Sequence, residues 1–379
     1  MNMPPPGGWP LPQQPGPPPY GQSHPQPQAG SQPPSGWQQG YWPQQPTPPP
    51  QKQGNSLKWL LIGVAILLVI AISVGATLLF TGSDGVGGTT PTSGGASGVA
   101  SVNDEGPVTI ITDEPTCATF VGINNSLGDL QSQGWGAQRR SLGPVAEWTP
   151  QQRSLVESVA TGMRNAADQS VALAKQTPHR VIRELYEQFI AYGRAYADSV
   201  SDYVPADDGL ASANVNASSA IIGICNTITF GSSNRGLGVS SAPSPTSTGT
   251  PDDPNNPASF VTQPSSTCTE WVSRLDTFNA ATEAWADSDP SVAAADWTPD
   301  RRAIEQAVRP LLTNYANDAE AAGRQISSSA FEDFAFSTAL YIRAYLSVGD
   351  SYTGVDGWLS YTAFKFANLI SGACRAVAR

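Results

Sequence analysis

The sequence predicts an all-α protein: one transmembrane helix, then two tandem, duplicated helical bundles of about four helices each, both stapled by a disulfide. Three observations predict this: one long apolar run without charges, a repeat at a constant offset, and four cysteines at matching ends of the two repeats. The expected segments are a disordered Pro/Gln-rich cytoplasmic tail over 1–56, a transmembrane helix over 57–80, a flexible Gly/Ser/Thr stalk over 81–111, a first bundle over 112–230, a Ser/Thr/Pro-rich linker over 231–265 and a second bundle over 266–379.

The predicted transmembrane helix is the run LKWLLIGVAILLVIAISVGATLLF over 57–80. Its part from 59 to 80 holds 22 residues without a charged residue, Gln, Asn or Pro. At a rise of 1.5 Å per residue this reaches about 33 Å, enough to cross a hydrocarbon core of about 30 Å. A cleaved signal peptide is the alternative, but its apolar stretch spans about 7–15 residues after a short basic start. Because this run is longer and starts past residue 56, we expect an uncleaved anchor.

Charges on the two sides of the run predict its orientation. Lys52 and Lys58 flank its first end, and no Lys or Arg follows it until Arg139. Because basic flanks stay in the cytoplasm, we expect a single-pass protein of the plasma membrane, with a cytoplasmic N-terminus and an extracytoplasmic body. All 31 Asp and Glu follow residue 80, with 18 of the 20 Lys and Arg, so the body has a formal charge of −13. This acidity predicts no nucleic-acid partner.

The tail over 1–56 has a composition that cannot form a core. It holds 18 Pro, 12 Gln and 8 Gly, and no acidic residue, which is typical of a disordered chain with stretches of polyproline II. The spacing PxxP occurs at 12–15 and at 43–46, and such segments bind to aromatic grooves. The tail is therefore either a binding site for a cytoplasmic polyproline-binding partner or a spacer.

The body consists of two copies related by an offset of 149 residues. Of the 78 ungapped pairs that begin at Trp148 and Trp297, 19 are identical. The main landmarks of the first copy that recur at this offset are Trp148, Thr149, Pro150, Arg153, Asn165, Tyr192, Arg194, Ala195, Tyr196, Tyr203, Leu210, Gly223 and Cys225. A repeat at one offset predicts two copies of one domain, each of about 110 residues.

Each copy is predicted to be helical. Thr149-Pro150 and Thr298-Pro299 combine an N-cap residue with Pro at the first helical position. The third predicted helix of each copy has an apolar stripe with spacings of three and four residues, typical of a face buried in a bundle. Its members are Ile182, Leu185, Phe189, Tyr192, Tyr196, Val200 and Tyr203 in the first copy, and Phe331, Phe334, Thr338, Tyr341, Tyr345, Val348 and Tyr352 in the second. Four segments of about 20 residues per copy predict a four-helix bundle.

The four cysteines lie one at the start and one near the end of each copy. Thiols pair in an oxidising space outside a cell membrane. Four cysteines allow three pairings, but the duplication favours the pairing that repeats within each copy, Cys117–Cys225 and Cys268–Cys374. Metal binding is not expected, because the chain has no CxxC motif and only two His.

No catalytic motif stands out, so we predict a protein that is not an enzyme and needs no cofactor. His179 is the one His after the apolar run, and it follows Thr177-Pro178 at a predicted helix start, where exposure is the ordinary expectation. GxSxG, HExxH and phosphate-binding glycine loops are absent from the sequence. A pair of carboxylates in a hydrolase remains an alternative, because acidic residues are plentiful and no spacing singles out two of them.

The candidate ligand-binding residues form a repeated Tyr-x-Arg-Ala-Tyr motif. They are Tyr192, Arg194 and Tyr196 in the first copy and Tyr341, Arg343 and Tyr345 in the second. An Arg between aromatic residues is suited to binding a carboxylate, a phosphate or a sugar acid. In the alternative, structural interpretation, the Arg covers the apolar stripe and pairs with an acid of its own bundle, for which Asp207 and Asp356 are the expected partners.

The organisation of the chain resembles that of a known group of proteins. The tail PPPGGWP…PPPYGQ over 4–22, the single apolar span, the Ser/Thr/Gly stalk and the Cys-containing body resemble the proline-rich single-pass membrane proteins of mycobacteria and related actinobacteria. The resemblance implies a location in the cell envelope. It implies no catalytic residues.

These observations predict a non-enzymatic envelope protein that uses its tandem bundles as an interaction or scaffold surface. The alternative is a ligand-binding or sensory module outside the cytoplasm, for an anionic small molecule, a lipid or a glycan. The expected partners are the membrane and an envelope protein or ligand outside it. Internal pairing of Arg194 and Arg343 in a closed core would favour the scaffold, and an unpaired Arg in a lined cavity would favour the ligand.

Overall fold

The computed structural model describes residues 98–239 and 241–378. The predicted cytoplasmic tail, the predicted transmembrane helix over 57–80 and the first part of the predicted stalk lie outside the described residues. None of the helices within the two described ranges is both long and apolar enough to cross a bilayer.

Eight long helices make up most of the described part of the chain, which contains no strand. The first copy has α1 (Cys117–Ser132), α2 (Pro150–Gln176), α3 (Arg180–Ser199) and α4 (Asp208–Thr229). The second has α5 (Ser266–Ala281), α6 (Pro299–Gly323), α7 (Ser329–Val348) and α8 (Gly357–Val377). Single-turn α-helices span Trp135–Gln138, Ser232–Arg235 and Glu283–Ala286. Short 3₁₀ turns span Ala100–Asn103, Arg139–Ser141, Val145–Glu147, Val200–Asp202, Pro205–Asp207, Gly236–Gly238, Ala294–Asp296, Gly349–Ser351 and Gly354–Asp356. The predicted all-α class is confirmed.

The predicted caps begin the second helix of each copy. The Thr149 hydroxyl accepts a hydrogen bond from the Gln152 backbone N–H, and Gln152 Oε1 accepts from the Thr149 backbone N–H, which completes the capping box. Thr298 caps α6 in the same way through the Arg301 backbone N–H. The N-cap Thr and the Pro that follows it are common to both helix starts, whereas the reciprocal bond of the capping box is present only at α2.

Both predicted disulfides are confirmed. Cys117–Cys225 joins the start of α1 to the end of α4, with a Cα–Cα distance of 5.6 Å. Cys268–Cys374 joins α5 to α8 in the second copy, with a Cα–Cα distance of 5.2 Å. Each bridge therefore ties the first helix of a copy to its last.

The third helices, α3 and α7, form the centre of the two copies. Helix α3 packs between α2 and α4, and α7 packs between α6 and α8. All residues of 180–190 in α3 and of 331–342 in α7 are buried, and so are the aromatic members of the predicted stripe beyond them. A helix buried on all sides is the innermost element of its bundle, and here it also reaches the third helix of the other copy.

The two copies pack on each other through their fourth helices, which run antiparallel. A Cβ on Gly223 of α4 would lie 2.5 Å from Thr362 Oγ1 of α8, and one on Gly372 of α8 would lie 2.7 Å from the Ala213 backbone N of α4. Both contacts relate positions that are equivalent at the offset of 149. The copies are thus arranged about an approximate two-fold axis, with glycine at each close approach because no side chain fits there.

Residues 98–111, which we name the first strap, differ from the flexible stalk predicted over 81–111. Val108, Ile110 and Ile111 are buried in the core. The Arg180 backbone N–H donates to Asp104 Oδ2 (2.7 Å), which fixes the strap to the start of α3. The small polar composition predicted flexibility, but three apolar residues are enough to anchor the segment.

Residues 241–265, the second strap, likewise differ from the predicted free linker. Its backbone is bound by a side-chain amide of α3: Gln188 Nε2 donates to the Ala258 carbonyl (3.1 Å), and the Phe260 N–H donates to Gln188 Oε1 (3.0 Å). Thr246 donates to the Glu332 carboxylate of α7 through its N–H and its hydroxyl. The second strap therefore contacts both copies.

Each strap contacts the third helix of the copy that it does not immediately precede in the chain. The hydroxyl of Tyr341 in the second copy lies beside the backbone of Ile111 in the first strap. The hydroxyl of Tyr192 in the first copy lies beside the backbone of Val261 in the second strap. Each strap precedes one copy along the chain and packs on the central helix of the other.

Candidate functional site

The tyrosines of the repeated Tyr-x-Arg-Ala-Tyr motif lie in the core. Tyr192, Tyr196 and Tyr341 are each 1 % exposed or less. The Trp135 indole N–H donates to the Tyr196 hydroxyl (3.0 Å), and the Trp285 indole N–H donates to the Tyr345 hydroxyl (3.2 Å) at the equivalent place. These rings pack the bundles and present no face to a ligand from outside.

The arginines of the motif pair with groups of their own chain. Arg194 donates to Asp168 Oδ1 (2.6 Å) on α2 and to the carbonyl of Asn255 (2.6 Å) in the second strap. Arg343 donates to Glu320 Oε2 (2.7 Å) and to Asn317 Oδ1 (3.0 Å) on α6. Both arginines therefore lie on the outer edge of the third helix, where they reach the second helix.

Asp207 and Asp356, the expected partners of Arg194 and Arg343, instead accept hydrogen bonds from backbone N–H groups. Asp207 accepts from the Val204 N–H (2.9 Å), and Asp356 accepts from the Thr353 N–H (2.7 Å), each in the 3₁₀ turn before the fourth helix. Asp356 also pairs with Arg235 (2.9 Å), which follows α4 in the chain. The expectation was wrong because a short acid just before a helix satisfies free backbone N–H groups.

A buried ion cluster lies where α3 of the first copy meets α7 of the second. Arg180 donates to both carboxylate oxygens of Asp333, at 2.6 and 3.2 Å, and the two side chains are 3 % and 1 % exposed. Its remaining donors reach the carbonyls of Asp104 and Gly106 in the first strap. One guanidinium thus joins the first copy, the second copy and the first strap, with all its partners oriented by hydrogen bonds.

Two further carboxyl groups of α3 belong to this cluster. Arg183 donates to Glu187 Oε1 (2.7 Å) and to the Ser101 hydroxyl (3.0 Å) of the first strap. Burial raises the pKa of Glu187 to about 7, although the Arg183 guanidinium opposes the shift. Burial, reinforced by the Asp333 carboxylate, also raises the pKa of Glu184 well above its ordinary range. Both shifts follow from the cost of holding a charge away from water.

A small pocket opens beside this cluster. Its volume is about 240 Å³, and it lies between the two straps over the first turns of α3. The polar residues that line it are Ser101, Asp104, Glu105, Arg180, Arg183, Thr248 and Thr250. Because both arginines are already bound to carboxylates, their charge toward the pocket is largely compensated.

The sequence pattern did not single out this cluster. Arg180, Arg183, Glu184 and Glu187 form a charged run on a predicted helix, and such runs are usually solvated. The signal that points to burial is the repeat: the position of Arg183 is occupied by acidic Glu332 in the second copy. Opposite charges at equivalent positions fit a contact between two copies that have become complementary.

His179 lies at the N-cap of α3, where Nε2 is 2.8 Å from the carbonyl oxygen of Asp113. Its ring thus connects α3 to the residues before α1. Within 98–239 and 241–378, no group of His, Cys, Asp and Glu is arranged to hold a metal ion.

Two packed, disulfide-bonded helical repeats, joined by straps and an internal ion cluster, define this protein as a tandem-repeat helical body. Residues 99–379 match the family described as Mycobacterial ESX-1 associated protein, and the chain belongs to this family. It is similar to an uncharacterised protein of Mycolicibacterium smegmatis (strain MKD8), with 38 % identity over 333 residues that cover 86 % of this chain and 88 % of the relative. No solved structure matches the chain. The predicted resemblance to mycobacterial proteins is confirmed, and the membrane-spanning organisation stays a prediction.

Proposed function

We propose that this chain is a non-enzymatic, membrane-anchored envelope protein whose helical body is a preformed interaction surface for components of the ESX-1 secretion system. The family description supports the link to ESX-1. The apolar run over 57–80 supports the anchor, and the basic flank formed by Lys52 and Lys58 supports an extracytoplasmic body.

The observation that carries the scaffold role is the internal pairing of Arg194 and Arg343. These two were the candidate ligand-binding arginines, and each bonds to an acid of the preceding helix. The tyrosines beside them fill the core. A body whose motif arginines are paired internally and whose motif tyrosines are packed in the core has this face ordered before it meets a partner, so it loses little conformational entropy on binding.

The ligand-binding alternative keeps one specific observation in its favour, the pocket beside Arg180 and Arg183. A small anion would have to compete there with Asp333 and Glu187 for the two guanidinium groups. Thermal unfolding of the intact protein with millimolar phosphate, acetate or glucuronate tests this function. A concentration-dependent rise in Tm that Arg183→Gln abolishes would favour the ligand over the scaffold.

Co-purification from native membranes tests the scaffold function. The tagged full-length chain is expressed in a mycobacterium, extracted in mild detergent and analysed by quantitative mass spectrometry. Residues 1–97 with the same tag are the control, because they retain the predicted tail and anchor and lack the helical body. We expect ESX-1 components to be enriched with the full-length chain only. Equal recovery with the control, or no enrichment, would contradict the proposed function.

A further inference from the structure

Two cations of the body donate no hydrogen bond and form no ion pair within the described residues. Of the Lys and Arg residues within the described ranges, Arg140 and Lys365 alone make neither a hydrogen bond nor an ion pair. Each of the others donates to a carboxylate, an amide oxygen or a backbone carbonyl. In a body with a formal charge of −13, cations that bond to no acceptor oxygen are unexpected.

The two cations interact electrostatically, and Arg139, Asp208 and Arg375 also act on Arg140. Arg140 is exposed in the 3₁₀ turn Arg139–Ser141, and Lys365 is half-buried on α8. Burial, and then the nearby Arg140 guanidinium, lowers the pKa of Lys365 to about 8. Two adjacent like charges repel each other, and an anion placed between them would relieve the repulsion.

An aromatic surface continues from Lys365 along α8. The ammonium nitrogen of Lys365 lies 4.7 Å from the ring centroid of Tyr361, and the Tyr361 ring lies 5.1 Å from that of Trp358. Trp358 stacks on Phe230 at the end of α4, with 6.3 Å between centroids and 9° between planes. Phe230 is 51 % exposed. We name Phe230, Trp358, Tyr361, Lys365 and Arg140 the aromatic–cationic strip.

The approximate two-fold symmetry does not reproduce this strip. At the offset of 149, Trp358, Tyr361 and Lys365 correspond to Gly209, Ser212 and Asn216 in the first copy. Gly209 serves close packing, because a Cβ there would lie 2.5 Å from the Ala376 backbone N. The first copy folds with small residues at these positions, so the requirements of the bundle do not explain the large aromatic and basic ones.

We propose that the aromatic–cationic strip binds an acidic segment of a partner protein, with an apolar side chain on Phe230 and Trp358 and a carboxylate between Lys365 and Arg140. Seven residues separate Trp358 from Lys365 on α8, a rise of about 10 Å. The partner segment therefore presents its apolar residue and its carboxylate about two helical turns apart. This inference rests on the proposed function and names the surface through which it acts.

Other occupants fit the charges less well. The chain's own residues 1–97 contain one acid, Asp84, so they do not supply an acidic segment. An anionic bilayer would be repelled by the net charge of −13 on the body, and the strip offers only two cations to offset this repulsion. A local acidic segment meets those cations without bringing the rest of its surface close to the body.

Site-specific photocrosslinking in the full-length chain tests the proposal. A photoreactive phenylalanine analogue replaces Phe230 in the protein expressed in a mycobacterium, and the adducts are identified by mass spectrometry. The same analogue in place of exposed Val204, before the opposite end of α4, is the control position. We expect an adduct from position 230 on an acidic segment of another protein and no such adduct from position 204.

Charge reversal then tests the cations. Arg140→Glu with Lys365→Glu is expected to lower the adduct yield about ten-fold, whereas Lys175→Glu near the end of α2 leaves it unchanged. Changing the partner's carboxylate to Lys is expected to restore the yield with the reversed strip. Lys365→Gln, a milder change at this half-buried site, is expected to give a smaller loss. Circular dichroism and intact disulfides verify that each variant is folded.

Adducts on lipid only, adducts on a second copy of this chain, no adduct, or a yield that ignores the charge reversal would each overturn the proposal. The outcome is separable from that of the proposed function. A charge-dependent adduct on a protein outside ESX-1 would support the strip as a binding surface and contradict the proposed ESX-1 function. Enrichment of ESX-1 components without a charge-dependent adduct at position 230 would support the proposed function and contradict the strip as the binding surface.

Discussion

The central helices α3 and α7 occupy equivalent places in the two copies but differ in charge. Both retain the apolar stripe, and both have the Tyr-x-Arg-Ala-Tyr motif with its arginine paired to the preceding helix. Their first turns differ: Arg180, Arg183, Glu184 and Glu187 of α3 correspond to Ser329, Glu332, Asp333 and Phe336 of α7. The residues that the copies share build each bundle, and residues in which they differ join one bundle to the other.

The Arg180–Asp333 pair is the clearest product of this divergence. The counterpart of Arg180 in the second copy is Ser329. Two copies that both had the sequence of the second would therefore place Ser329, and no arginine, opposite Asp333. The tandem chain instead buries a bidentate ion pair between unlike halves. Divergence at these positions makes the two copies complementary to each other, as the polar residues of an interface fix its register and orientation.

Removal of a disulfide is expected to cause the largest loss of stability, and the loss is expected to be equal in the two copies. Cys117→Ser with Cys225→Ser opens a loop with a separation of 108 residues, and Cys268→Ser with Cys374→Ser opens one of 106. Because loop entropy depends weakly on length, each pair is expected to lower the free energy of unfolding by about 4–5 kcal/mol. Urea unfolding of the intact protein in detergent, followed by tryptophan fluorescence, measures both. A difference above about 2 kcal/mol between the pairs would contradict equal roles.

Asp333→Asn and Glu184→Gln change equivalent positions, yet we expect unequal results. Asp333 is the buried partner of Arg180, so its neutralisation leaves a buried cation without its bidentate partner and costs about 3 kcal/mol. Burial already favours the protonated form of Glu184, so a neutral amide there is expected to cost less than about 1 kcal/mol. The same urea titration compares the two variants. Equal losses would mean that the ion cluster does not distinguish the two copies.

Gly372→Ala and Gly223→Ala test the fourth-helix contact. A methyl group on Gly372 meets backbone atoms of Ser212 and Ala213, which cannot rotate away. A methyl group on Gly223 meets first the Thr362 hydroxyl, which can leave its bond to the Trp358 carbonyl by rotation about Cα–Cβ, and it meets backbone, the Thr362 Cα, only at 3.2 Å. We expect Gly372→Ala to cost about 2 kcal/mol and Gly223→Ala about 1 kcal/mol or less. The reverse order in thermal unfolding would show that the helices separate more easily than their spacing implies.

Glu187 gives a pH dependence that its counterpart Phe336 lacks. Its pKa is about 7 in the fold against an ordinary value of 4.5, so the folded state retains a proton that the unfolded chain has lost between these values. The stability from this group is complete below pH 4.5 and is lost as the pH rises through 7. Between pH 6 and pH 8 the free energy of unfolding is expected to fall by about 1 kcal/mol.

Glu187→Gln isolates that pH dependence. The amide does not titrate, so this variant is expected to show a flatter stability profile between pH 6 and pH 8. Asp253→Asn is a matched control in the second strap, because Asp253 is fully exposed and hydrogen bonds to Asn255 lower its pKa. An unchanged slope in the Glu187 variant would assign the pH dependence to another group.

The elements of each bundle were predictable because local signals agreed with one another. The Thr-Pro caps, the apolar stripe of α3 and the paired cysteines each follow from a few neighbouring residues or from the repeat. The acids paired with Arg194 and Arg343 were not predictable, since Asp168 and Glu320 lie 26 and 23 residues away, and not at equivalent positions. Choosing them requires knowing which face of α2 or α6 meets the third helix.

The contacts between the two copies could not be predicted from the sequence. The segments over 98–111 and 241–265 have a flexible composition, yet Ile111 and Val261 anchor them to the opposite copies. The aromatic–cationic strip was equally hidden, because Phe230 and Trp358 belong to different copies and meet only when α4 and α8 cross. Contacts between segments far apart in the chain leave little local pattern to detect.

Hydrogen exchange of the intact protein carrying Cys268→Ser and Cys374→Ser tests most directly whether the two copies form one body. Mass spectrometry of the peptides reports each half separately. Because α4 packs on α8 and both straps join the halves, loss of the second disulfide is expected to accelerate exchange in α3 and α4 as well as in α7 and α8. Acceleration confined to residues 266–378, with α3 and α4 unchanged, would contradict a single body.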